Sequence, residues 1–240
     1  IKKELTKGSV RERHLAKALR MKIYDFASDN EQEIKLLLEK LFGNKKLQSA
    51  VENHAAVENE IRGNLLKAGG AAFVAETPEA FLPVETVCEI IVAAGGIPTY
   101  PFLADDANGN YTDFENDLER VADQLTARGF HSVEFITTRN DVELLEKYAS
   151  SLYEKGFVVT FGSEHNTPAM EPIELFARNQ TPLTAELLQI NYHGACVIAA
   201  HQHLVAQGLD GYVDEDGQAD RSKRTEFISL GDQLIQAKIK

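Results

Sequence analysis

The sequence predicts an α/β protein, in which a helical region precedes parallel β/α units that make up part of a barrel. Three observations carry this. First, a helix, a glycine and a short apolar run recur in that order between residues 83 and 162, at the roughly thirty-residue spacing of a β/α unit. Second, residues 2–66 are rich in Lys, Glu, Leu and Ala with helical rather than alternating spacing. Third, each apolar run is followed by polar residues, as at the carboxyl ends of parallel strands, where α/β folds hold their ligands.

Taken in order, Leu15, Leu19 and Ile23 share a helix face. Ile34, Leu37, Leu38 and Leu41 define a second helix, which Gly43-Asn44 ends. A third helical stretch from Leu47 to Lys67 stops at Gly69-Gly70, and Ala71 to Val74 is a candidate strand. Pro83 to Ala94 then reads as a helix closed by Gly95-Gly96, and Ile97 to Phe102 as a strand. Asp113 to Arg128 forms the next helix, ended by Gly129, before a strand from His131 to Ile136. Asp141 to Lys155 is a helix ended by Gly156, and Phe157 to Phe161 is a strand whose unbroken apolar run suits burial on both faces. Thr184 to Asn191 and Gly194 to Gln207 read as further helical stretches. These strands are too few to close an eight-stranded barrel. The expected division is 1–68 as the helical region and 69–240 as the barrel portion.

Composition excludes several classes. At 240 residues, 43% hydrophobic and 26% charged, the chain has room for one α/β domain or two small ones. No apolar run is long enough to span a bilayer, so no membrane partner is expected. A formal net charge of -12 disfavours nucleic acid, whose phosphates require clustered Lys and Arg. Cys88 and Cys196 are isolated, without C-x-x-C spacing or a disulfide framework, and the cytosol is the expected compartment. The opening Ile1-Lys2-Lys3-Glu4 has neither an initiator Met nor the apolar core of a signal peptide, which leads to the expectation of a processed or cut chain.

The candidate site residues follow the strands. After Val158 to Phe161 comes Gly162-Ser163-Glu164-His165-Asn166, which delivers a carboxylate, an imidazole and an amide at one strand end. Carboxylate oxygen and imidazole nitrogen are ligands for Zn, Mn and Fe. The same residues also fit a capped turn, with Asn166 or Thr167 as N-cap and Pro168 in the first helical position. Asp105 and Asp106 follow the first strand, and Thr137 to Asn140 the second, so that all three groups are expected on one rim. Arg139 offers a bidentate fork for an anionic group. His201-Gln202-His203 chelates well only on a strand; on the helix that Ala199 and Ala200 favour, the rings diverge by about 200°. His201 is therefore the weaker metal candidate, and an ordinary polar helix end the simpler account. Asp210 to Gly217 has the composition of a calcium loop without its register, and reads as a solvated turn.

Two of these words resemble the polymerase-and-histidinol-phosphatase (PHP) family of metal-dependent hydrolases, over about residues 69 to 205. Late in its barrel that family carries G-S-D-x-H at a strand end. Gly162-Ser163-Glu164-His165-Asn166 is similar, with Glu164 in place of the Asp and His165 one position early. The family's apolar strand after Gly-Gly ends in His-Pro, and Gly95-Gly96-Ile97-Pro98-Thr99-Tyr100-Pro101 matches that frame with Tyr100 in place of the His. The opening H-x-H signature is absent. The resemblance implies a distorted β/α barrel, of which this chain would be the C-terminal part, completed by an upstream part of the same protein. It implies a metal-dependent phosphoester hydrolase with Glu164, His165 and Asp105 as ligands to Zn, Mn or Fe, the set being incomplete in this chain alone. A small anionic substrate would meet Arg139, Asn166, Tyr100 and His14, the last beside Arg13 at a helix start; an exposed basic helix turn is the alternative for His14. The competing function is a non-catalytic module that binds a ligand or partner at the rim without the full metal site.

Overall fold

The computed structural model describes residues 4–6, 8–105, 109–163 and 173–239. They divide into two compact units, one reaching Phe81 and the other beginning at Leu82.

The first unit is helical. Its helices are α1 (Glu12–Phe26), α2 (Glu31–Leu41) and α3 (His54–Ile61), the last continued by a π-turn over Arg62–Leu66. Asn30 and Asn53 supply the N-caps of α2 and α3, their side chains accepting from the Glu33 and Ala56 amides and so satisfying backbone donors that would otherwise be orphaned. Ala16, Ile23, Ile34, Leu38, Val57 and Ile61 form the core. Tyr24 donates its hydroxyl to the Val51 carbonyl, and Arg20 meets Glu58 at 2.8 Å. Ala71 to Val74 does not form a strand. Phe73 donates its amide back to the Gly70 carbonyl in a turn, and Val74 is 83% exposed, which denies the segment the buried face a strand needs.

The second unit is α/β. Helix α4 (Val84–Ala93) precedes strand β1 (Thr99–Phe102). Then α5 (Leu118–Ala127), β2 (Ser132–Ile136), α6 (Val142–Glu154) and β3 (Val158–Gly162) alternate. The three strands lie side by side in the order β1-β2-β3, all parallel, with Phe102, Phe135 and Phe161 in register across the sheet. Their carboxyl ends therefore share one edge. Among the described residues the sheet is open and does not close into a barrel. Phe102, Val133, Phe135 and Val159 bury against Leu125, Leu145, Leu152 and Leu187 from the helices. A short hairpin, β4 (Phe176–Ala177) with β5 (Thr181–Pro182), turns through Arg178, Asn179 and Gln180.

One helix, α7 (Ala185–Val205), replaces the two stretches expected near 184–191 and 194–207. Gly194 does not interrupt it. A Cβ there would collide with the Val159 carbonyl, so the glycine lets the helix backbone seat directly on β3. The Asn191 side chain accepts the Phe161 amide at 2.8 Å, satisfying part of the β3 edge. Helix α8 (Arg224–Ile239) packs on α7 in the same manner, Gly231 lying against the Cys196 carbonyl. No helix among the described residues is long and apolar enough to cross a membrane.

Candidate functional site

The carboxyl ends of β1 and β2 meet at a cavity of about 590 Å³, lined among others by Asp105, Thr112, Thr138, Arg139, Arg178 and Asn179. It lies where open parallel sheets hold ligands. Asp105 follows β1 after Ala104, a buried residue with a left-handed backbone (φ 56°). Such a conformation is costly for alanine and persists only where its surroundings impose it. Asn140 does so here. Fully buried, it donates its amide to the Leu103 carbonyl at 2.9 Å and to Asp105 Oδ1 at 2.6 Å, with a longer contact to the Asp105 carbonyl at 3.3 Å. Its own Oδ1 is buried without a partner.

Arg178 stitches the hairpin turn to both strand ends. Its guanidinium pairs with Asp105 at 3.0 Å and Asp141 at 2.9 Å, and donates to the Arg139 carbonyl; its backbone amide donates to the Asn140 carbonyl at 2.8 Å. Asp105 is only 8% exposed, and Arg178 and Asn140 together supply charge and hydrogen-bond compensation for its burial. The sequence carried no local signal for Arg178, which lies 73 residues from Asp105.

The expected site residues divide accordingly. Asp105 and Arg139 line the same cavity. Glu164, His165 and Asn166 lie outside the described residues, as does Asp106; Gly162, which ends β3 at the same edge of the sheet, and Ser163 precede the Glu-His-Asn word in the chain. Tyr100 points elsewhere. Its hydroxyl donates to Glu115 Oε1 at 3.0 Å, and its ring packs edge-on against Phe102 and Phe130. Burial, and then the neighbouring carboxylate, hold its phenol well above the ordinary tyrosine range. Glu115 is 1% exposed, also accepts from the Leu103 amide, and braces the start of the β1 exit loop.

His201 sits in α7 with both ring nitrogens engaged. Nδ1 accepts from the Tyr212 amide at 3.0 Å, and Nε2 donates to the Gly95 carbonyl at 3.1 Å. A metal would have to displace one of these bonds. Desolvation lowers its pKa, which favours the neutral ring this arrangement requires. His14 belongs to the first unit, where Nδ1 accepts the Arg11 amide at the start of α1. Among the described residues no three His, Cys, Asp or Glu side chains converge as a metal site. Asp105, the one expected ligand at the cavity within them, has Oδ1 engaged by Asn140 and Arg178. The described residues on their own therefore do not fit a catalytic metal centre, which needs about three protein ligands.

No protein-family model, curated protein or solved structure matches the chain.

Proposed function

We propose that the cavity at the carboxyl end of the β1-β2-β3 sheet binds a small anionic ligand of the phosphate-ester kind, and that the chain is the C-terminal part of a PHP-type β/α barrel. The observation that carries this is the placement of Arg139 and Arg178, with Asp105 and two threonines, around one cavity at adjacent parallel strand ends. Guanidinium groups match phosphate oxygens in charge and planar geometry. Arg139, which follows β2 and lines the cavity, is the residue assigned to the anion. The test is titration of the chain with phenyl phosphate, followed by amide NMR shifts. Residues 103–105, 112 and 138–140 should shift together, and Arg139→Gln should weaken binding about tenfold or more, the loss of a charge-assisted hydrogen bond. Shifts scattered over other parts of the fold would remove the cavity from consideration.

A second reading, metal-dependent phosphoester hydrolysis, is favoured by one feature: the Glu164-His165-Asn166 word directly follows Gly162-Ser163 at the end of β3. In this reading Glu164 and His165 bind the metal, and the ligand set is completed by an upstream part of the protein. It is tested by metal content and phosphoesterase turnover of a longer protein with and without His165→Ala. Equal turnover would remove His165 from the chemistry, and a fully metallated short chain would contradict the incomplete ligand set.

A further inference from the structure

We propose that Tyr153, His193 and Arg224 form an acid-released latch: protonation of His193 frees the amino end of α8 from α6 and α7. None of these residues lines the rim cavity.

The cluster ties α6, α7 and α8 together. The Tyr153 hydroxyl, on α6, lies 2.7 Å from His193 Nδ1, on α7. Arg224, the first residue of α8, places its guanidinium carbon 4.2 Å from the centre of the Tyr153 ring and donates to the Tyr153 carbonyl. A neutral imidazole has one bare nitrogen, and with Nδ1 bare the Tyr153 hydroxyl donates to it. The proton that charges the ring must then land on Nδ1 itself. Acid therefore strikes the bond that joins α7 to α6.

The surroundings give the new cation nothing to pair with. From α6 the ring faces Tyr153, and from α8 it faces Arg224; β3, on which α7 also packs, carries no ionisable side chain. Glu186 on α7 meets Ser150 instead, and Asp232 on α8 meets Tyr192. Burial, and then the Arg224 charge, hold the His193 pKa below the ordinary 6.5.

The packing decides which partner yields. Next to His193, Gly194 seats the α7 backbone on the Val159 carbonyl, and Asn191 accepts the Phe161 amide at 2.8 Å. Helix α7 is thus fixed to β3. Helix α8 meets α7 backbone to backbone at Gly231, about two turns beyond Arg224. Its amino end can swing out about that contact while the sheet stays intact.

The experiment is amide hydrogen exchange of the full chain, followed by NMR from about pH 5 to about pH 7.5, for the unsubstituted protein, His193→Gln, Arg224→Met and His201→Gln. Amides 228–231, in the first turns of α8, report the latch, and amides 133–135, in β2, report global unfolding. One linked proton should lower the protection factors of 228–231 by up to about tenfold per pH unit below about pH 6.5, while those of 133–135 fall less. Glutamine keeps an acceptor for the Tyr153 hydroxyl but does not titrate, so His193→Gln should abolish the fall. Arg224→Met keeps an apolar contact over the ring without the charge and should shrink it. His201→Gln alters a separate buried histidine and should leave it in place. Protection at 228–231 that ignores pH, that falls equally in His193→Gln, or that falls in step with 133–135 would overturn the latch. Should His193→Gln fail to fold, which thermal melting checks, an undiminished fall in Arg224→Met overturns it instead.

Discussion

Asn140 holds Asp105 from below: its amide nitrogen lies 2.6 Å from Asp105 Oδ1, and the same amide reaches the Leu103 carbonyl at 2.9 Å. One buried side chain thus fixes both the carboxylate and the left-handed turn that presents it.

Removing that amide should be expensive. Asn140→Ala loses these donations and strips Asp105 of one partner, a loss of roughly 2–4 kcal/mol. Asn140→Asp should do worse at neutral pH, because it sets a second carboxylate against the first. The two would then share a proton, which raises a folded-state carboxyl pKa above its unfolded value. Stability from that proton is present at low pH and lost as pH rises, so the Asp variant should recover relative to the unsubstituted chain on acidification. Urea unfolding at several pH values measures this; a pH-independent difference between the two would contradict the contact.

Arg178 should not be replaceable by lysine. Two carboxylates and a carbonyl receive its planar fork, and an ammonium cannot reproduce that geometry. Arg178→Lys should cost about 1–2 kcal/mol and weaken anion binding through disorder of Asp105 and Arg139. Chemical denaturation together with the titration described for Arg139→Gln checks both. Retention of full stability and affinity by the lysine variant would make the stitch dispensable.

Gly194→Ala and Gly231→Ala oppose two effects. Helix propensity favours alanine by up to about 1 kcal/mol, whereas the new methyl would meet the Val159 or Cys196 carbonyl directly. Overpacking of this kind costs about 1–3 kcal/mol, so both variants should be destabilised. Gly63→Ala is the control. Nothing lies within 4 Å of a Cβ at Gly63, and its melting temperature should hold or rise.

Stability should fall on mild acidification. Burial lowers the pKa of His201, His131 and His193 below the ordinary 6.5. For a depressed histidine the unfolded chain takes up the proton first, so stability is intact above the unfolded pKa and declines as pH falls towards the folded one. Unfolding free energy should therefore drop between about pH 7.5 and about pH 5.5. His201→Gln should flatten part of that slope. A slope unchanged by the substitution would mean that the His201 ring is not held neutral by the Tyr212 amide and Gly95 carbonyl.

Local pattern accounts for the strands. Ser132–Ile136 and Val158–Gly162 were legible because each is an apolar run entered through a glycine-ended helix, and burial on a parallel sheet imposes that rhythm. Asp105 and Arg139 were legible as rim residues for the same reason, since position after a strand is a local property. Arg178 and Asn179 were not, because their role depends on a hairpin folding back over distant strand ends. Phe73 and Val74 misled in the opposite direction: apolar identity marks a strand only when something covers it. Tyr100 shows the same limit. Its place in a family-like word said nothing of Glu115, the buried partner that takes its hydroxyl.

The two glycine seats have a mechanical consequence. Side chains between packed elements act as a cushion, since rotamers can shift before backbones do. Gly194 and Gly231 remove that cushion on both sides of α7. A push on α8 therefore has little to compress before it reaches β3, and the strand that leads to Gly162 and Ser163 is coupled to α8 as by a solid rod.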